Sequence, residues 1–205
     1  MGRCLLTLDV ESELAPGLML ADASGVLPAR RVPKRAVSRI RRIYVRHTGV
    51  PGRPGLAGAE VHTALALRAY RAACAPGHYW LPTKPIIGPD SQTGVLRLAP
   101  DDWRAPHSGG RADTHGLGIL VQGDLDRQPL SPLQQQGLSA LLAFLRKRYG
   151  RQLDADWLSW ARAPVAVGKR ASSGRYLVAW LQEYLEAEAD ERDDFASVDE
   201  PVFAP

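Results

Sequence analysis

Five histidines, two cysteines and a few close carboxylate pairs are the side chains here that could hold a metal, attack a carbonyl or relay a proton. His47 is the best placed of them. It closes the β-branched, aromatic run RIRRIYVRHTG, residues 39–49, where a strand would open onto a loop. Ligands often sit at such strand ends, because the sheet fixes the backbone and the loop leaves the side chain open. Arg46 stands immediately before it and is no ligand, since guanidinium stays protonated and repels a cation. His62 falls on an expected helix, where a lone histidine reads as a surface or satisfied residue. His78 follows Ala-Pro-Gly and precedes Tyr79-Trp80, which suits packing or turn duty. His107 and His115 share the loop DDWRAPHSGGRADTHG. One histidine without partners binds zinc poorly, so His47 alone is a weak metal candidate.

The other nucleophile and acid sets are thinner still. Cys4 and Cys74 are far apart and lack ligand spacing, so they read as free thiols in a reducing compartment. Asp101-Asp102 and Asp154/Asp156 are close pairs on loops and do not make a glycosidase pair. Neither a Gly-x-Ser-x-Gly elbow nor a Gly-x-x-x-x-Gly-Lys-Ser/Thr phosphate loop occurs. The tryptophans read as core or interface anchors.

The elements that would position these residues alternate along the chain. Residues 1–39 are broken by Pro16, Gly17, Gly25, Pro28 and Pro33 and read as an irregular basic arm. A strand is expected over 40–48, with Ile43 and Val45 on one face and Tyr44 and Arg46 on the other. Residues 57–75 have near-helical spacing and stop at Ala-Pro-Gly. KPIIGPDSQTGVLRLAP reads as two short strands joined at Pro89-Asp90, and the apolar LGILVQGD as a strand buried on both faces. Ser131-Pro132 opens a helix with Leu138, Leu141, Leu142 and Leu145 as its stripe, ending at KRYG. A last helix runs from about Gly174. Strands interspersed with helices predict one α/β domain over 40–187, a central mixed sheet flanked by helices on both faces. An acidic tail over 188–205 is expected to follow it.

Charge and hydropathy exclude some classes. Net charge is +4, and 45% of residues are hydrophobic, as in ordinary globular chains. No run of 18 apolar residues provides a membrane span, and the acid-containing start does not read as a signal peptide. The expected place is therefore the cytoplasm, or a particle assembled there. Arg30, Arg31, Lys34, Arg35, Arg39, Arg41, Arg42 and Arg46 form a block without an acid, while EYLEAEADERDDFASVDEP carries Arg192 as its one base. Each reads first as a solvated face or tail. The alternatives are a phosphate or acidic polymer for the block, and a protein partner for arm and tail. Nucleic acid is disfavoured, because Tyr44 is the one ring in the block and single strands need stacking platforms.

Five segments in order resemble the superfamily of zinc N-acetylmuramoyl-L-alanine amidases and peptidoglycan-recognition proteins. IYVRHTG is similar to its opening His-His-Thr strand and loop, and IIGPDSQTGVLRLAP to the hairpin after its Tyr-His pair. PHSGGRADTHGLGILVQGDL resembles its next loop and strand, with Asp113 where asparagine is usual. LSPLQQQGLSALLAFLRKRYG is similar to its Thr-x-x-Gln helix, and ASSGRYLVAWL stands where the family leads into its last helix. The resemblance spans roughly residues 20–185 and implies the same α/β fold.

The family's chemistry needs two histidines and a Cys or Asp on one zinc, with an open position for water. On this resemblance Arg46 occupies the first ligand's place and His47 the neighbouring, non-ligating one. Thr83, followed by Lys84, falls where the catalytic tyrosine stands. Trp160, Ala161 or Arg162 falls on the second ligand and Ser172 on the third. Arg170, with Lys169 beside it, takes the assisting position, and His107, Asp113 and His115 lie in the substrate groove. The resemblance thus implies a zinc-less amidase-like domain without a cofactor. Such a domain would bind peptidoglycan fragments, or serve as a structural subunit of a phage-like or injection particle. The alternative is an active zinc amidase with displaced ligands, cleaving the muramic acid–L-alanine amide.

Overall fold

The computed structural model describes residues 9–22, 24, 33–48, 77–82, 86–87, 92–105, 110–160 and 174–196. The strands are β1 (Asp9–Ala15), β2 (Leu18–Asp22), β3 (Arg42–His47), β4 (Tyr79–Leu81), β5 (Ile86–Ile87), β6 (Gln92–Arg97), β7 (Gly116–Val121) and β8 (Leu158–Ser159). The helices are α1 (Gly110–His115), α2 (Pro132–Tyr149) and α3 (Arg175–Ala196). The strands form a mixed sheet in the order β1-β2-β6-β4-β7-β3-β8, with β5 paired to β6. The expected helix over 57–75 lies outside the described residues.

Alternation along β3 sets the two faces of the sheet. Ile43 and Val45 are fully buried, and through the parallel register they sit beside Leu117 and Ile119 of β7. That face carries the main core, where Tyr79, Leu81, Val95 and Val121 meet Leu138, Leu141, Leu142 and Leu145 of α2 and Leu177 and Leu181 of α3. Tyr44 and Arg46 point to the other face. There α1 approaches closely: a Cβ on Gly116 would lie 2.3 Å from the Tyr44 ring and 2.8 Å from the Ala112 carbonyl. Helices therefore cover both faces, as the strand and helix pattern predicts. The loop reading of 101–116 needs one correction, since Gly110–His115 are helical and Gly116 opens β7.

Within the irregular arm expected over 1–39, residues 9–22 are instead regular. β1 and β2 form an antiparallel hairpin turned at Pro16-Gly17, where Gly17 takes φ 73°. Residues that break a helix here make the tight turn a hairpin needs. β2 then pairs in parallel with β6 and buries Leu18 and Leu20. A side chain on Gly94 would collide with Leu18, at 2.0 Å, so that glycine admits the hairpin to the sheet. At the other end α3 continues to Ala196, beyond the start of the expected tail at 188. Glu188 is held there by an ion pair with Arg146 of α2 and accepts the Tyr184 hydroxyl at 3.0 Å.

Ser131 caps α2 as its sequence predicts. Its Oγ accepts from Gln134 N, and Gln134 Oε1 accepts from Ser131 N in return. Gln134 Nε2 also donates to the Gln122 carbonyl at 2.7 Å, fixing the helix start to the end of β7.

Two polar groups inside the fold are unusual for their burial. Arg35, from the basic block, is 7% exposed. Its Nε and Nη2 donate to the Asp101 carbonyl at 3.1 and 3.0 Å, and Nη1 donates to the carbonyls of Asp113, Thr114 and Gly116. The guanidinium thereby caps the C-terminal carbonyls of α1. Asp101, 3% exposed, accepts the hydroxyls of Tyr79 at 2.8 Å and of Tyr149, with Arg97 Nη2 at 3.5 Å.

Replacing Arg35 by Met should destabilise the fold by about 3 kcal/mol, because buried carbonyls lose a charged donor. Chemical denaturation checks this; a change below about 0.5 kcal/mol would contradict it. The tyrosines add a pH dependence. Burial, reinforced by the Asp101 carboxylate, raises the hydroxyl pKa of Tyr79 and Tyr149 above the ordinary value. Unfolded tyrosines ionise near pH 10 while these two stay protonated, so the stability they contribute is intact below about 10 and falls as pH rises. Melts between pH 9 and about 11.5 should show this fall, and Tyr149→Phe should flatten it.

Candidate functional site

Arg46 lies on the face of β3 shared with α1, beside Leu120 of β7 in the parallel register. Burial lowers the pKa of its guanidinium, and the nearby Asp113 carboxylate acts in the opposite direction. Arg46 and Asp113, read from two distant segments as parts of one groove, are thus in electrostatic contact. The Asp113 backbone carbonyl is held by Arg35, so α1 presents this carboxylate from a fixed base.

His47 faces the opposite way and is built into the loop after β7. Its side chain is 5% exposed. Leu125 N donates to His47 Nδ1 at 3.0 Å, which in the neutral ring leaves the proton on Nε2. Nε2 looks toward Asp126 Oδ2 at 3.9 Å. The neighbouring Thr48 hydroxyl accepts from Gly123 N at 3.0 Å. The same loop receives α3: Tyr176 N donates to the Leu125 carbonyl and Arg175 N to Asp126 Oδ1. Gly174 has φ 76°, and a Cβ there would meet Leu125 at 2.9 Å. His47 is therefore a brace between the strand end and the start of the last helix.

His115 ends α1 and is exposed; its Nδ1 lies 3.2 Å from the Arg111 carbonyl. It faces a cleft at the other end of β3 from Arg46. Thr83, Lys84, His107, Lys169, Arg170 and Ser172 lie outside the described residues, as do Ala161 and Arg162. Trp160 is partly buried against the core. Among the described residues no three of His, Cys, Asp and Glu come together, and His47 has one nitrogen committed to Leu125. The described residues do not fit a tetrahedral zinc set.

The remaining sequence candidates are structural where described. His78 is fully buried: Gly118 N donates to its Nδ1 at 3.0 Å, so Nε2 carries the proton and donates to the Trp103 carbonyl at 2.9 Å. Asp102 pairs with Lys34 at 3.0 Å, and Asp154 and Asp156 with Arg42 at 3.3 and 2.6 Å. Arg35 was hidden in the basic block, because its charge gives no sign of its burial. No helix among the described residues is long and apolar enough to cross a membrane.

Neither a protein-family model nor a curated protein sequence matches the chain. Solved structures do. The Drosophila peptidoglycan recognition protein SD is similar at TM-score 0.55 and 15% identity, covering 80% of this chain and 93% of that one. The endolysin N-acetylmuramoyl-L-alanine amidase LysCS of Clostridium intestinale is similar at TM-score 0.50 and 15% identity, covering 83% and 95%. AmpDh3 of Pseudomonas aeruginosa, solved in complex with anhydromuramic pentapeptide, is similar at TM-score 0.50 and 20% identity, covering 78% and 64%. The chain has the fold shared by N-acetylmuramoyl-L-alanine amidases and peptidoglycan-recognition proteins.

Proposed function

We propose that this chain is a zinc-free, non-hydrolysing domain that binds peptidoglycan fragments in the groove around Arg46. One observation carries the reading. A guanidinium, partly buried and facing Asp113, stands where the resemblance puts the first zinc ligand. A permanent cation there opposes a metal ion and favours an anion in its place. The carboxylate of a peptide stem is such an anion, and Arg pairs with it through two parallel hydrogen bonds. Lys169 and Arg170, at the family's assisting position, would add to the same charge. The anhydromuramic pentapeptide bound by AmpDh3 supplies the class of probe.

Purified full-length protein should contain no stoichiometric zinc and release no stem peptide from peptidoglycan. Calorimetric titration with an anhydromuramyl peptide should show saturable binding. Arg46→Ala should weaken it about tenfold, the effect of losing one charged hydrogen-bonded partner. Amide cleavage with about one zinc per chain would favour the active amidase instead. Absence of binding by the folded protein would favour a structural subunit.

A further inference from the structure

We propose that a second site, a cleft of about 730 Å³ at the N-terminal ends of β3 and β7, binds a phosphate monoester carried on a sugar ring. Arg41, Arg42, Tyr44, Arg111, His115 and Asp154 line it. Arg42 and Arg46 are four residues apart on β3, roughly 13 Å, so the cleft is centred at the opposite end of the strand from Arg46, with Tyr44 between them.

The charges in the cleft are unequal in their commitments. Arg42 is neutralised by Asp154 and Asp156. Arg41 has no ion pair among the described residues: its Nη1 donates to the carbonyls of Ser38, Ile40 and Gln152, which fix the side chain without cancelling its charge. Its backbone also bonds to the His115 carbonyl and to Asp154 N, tying two walls of the cleft to one residue. Arg111 is exposed on α1 and has no ion pair among the described residues. Two guanidiniums without carboxylate partners among the described residues, on separate elements, suit a dianion better than a single carboxylate. A phosphate monoester carries about −1.5 to −2 charges at neutral pH.

Size and the remaining lining ask for more than phosphate. The cleft lies within the roughly 300–1,000 Å³ range of small-molecule sites, whereas one water takes only about 30 Å³. The Tyr44 ring lies over Gly116, where any Cβ would strike it, and gives a flat apolar wall. His115 Nδ1 is turned to the Arg111 carbonyl, so in the neutral ring Nε2 is left as an acceptor. With the Asp154 carboxylate it can accept from hydroxyls. Cations for phosphate, acceptors for hydroxyls and a ring wall together describe a sugar phosphate, free or within a nucleotide.

The test titrates the full chain with glucose 6-phosphate, AMP and inorganic phosphate, followed by backbone amide shifts in NMR. Both organic phosphates should saturate, with shifts at Tyr44, Arg111, Ala112 and His115. Arg111→Glu should weaken them at least about tenfold, while Lys147→Glu, the same charge change on exposed Lys147 of α2, should not. Unchanged melting curves would show both variants folded. Tighter binding of AMP would identify a nucleotide as the source, and equal binding a sugar phosphate. Inorganic phosphate binding as tightly as either, equal loss in Lys147→Glu, or no saturation at millimolar concentration would overturn the proposal.

Discussion

The Arg35 guanidinium is the contact on which this end of the molecule depends. A buried cation is costly unless its donors are matched, and here they are matched to main-chain carbonyls from the turn at Asp101, from α1 and from the start of β7. Those segments meet without regular secondary structure to join them. The backbone of Arg35 continues the tie by donating to the Asp102 carbonyl at 2.7 Å. Beside it His78 links the start of β4 to β7 through Gly118 and to the Asp101–Trp103 turn through the Trp103 carbonyl. One charged side chain thus replaces several hydrogen bonds that strands or caps would otherwise supply.

The site inherits its geometry from this arrangement. α1 has only six residues, too short to hold its place by helix formation alone. Arg35 caps its C-terminal carbonyls while Gly116 lets Tyr44 pack under it, and together they place Asp113 toward Arg46. On the opposite face His47 does a comparable task, holding the loop at Gly123–Asp126 against which α3 starts. The two adjacent residues of β3 therefore serve different ends. Arg46 is turned to the face that α1 covers, and His47 is spent on the scaffold.

The Asp101 carboxylate joins this polar layer to the hydrophobic core. Tyr79 comes from the sheet and Tyr149 from the last turn of α2, and both donate to it. Arg97 bridges from Asp101 toward Asp22 of β2, at 3.8 Å, so the N-terminal hairpin is also connected to the network. Buried polar groups of this kind specify register, since a shifted strand would leave them unmatched.

Local rules carried much of the fold. The alternation of Ile43, Tyr44, Val45 and Arg46 decides which side of β3 meets the core, and unbroken apolarity marks β7 as buried on both faces. Ser131, Pro132 and Gln134 specify the start of α2, because a cap is written within four residues. The order of five family-like segments pointed to the fold. Long-range partners were not legible. Pro16-Gly17 breaks a helix and turns a hairpin equally well, and only pairing with β6, admitted by Gly94, makes β1 and β2 strands of the sheet. The acids after Glu188 gave no sign that the helix would continue, since Arg146, 42 positions earlier, holds Glu188. Within the basic block, eight like charges take at least three different environments: Arg35 is buried, Arg42 is paired and Arg41 is bound to carbonyls. A residue's charge is fixed by its chemistry, but its exposure and partner depend on segments far away in the chain, and those only the tertiary structure brings together.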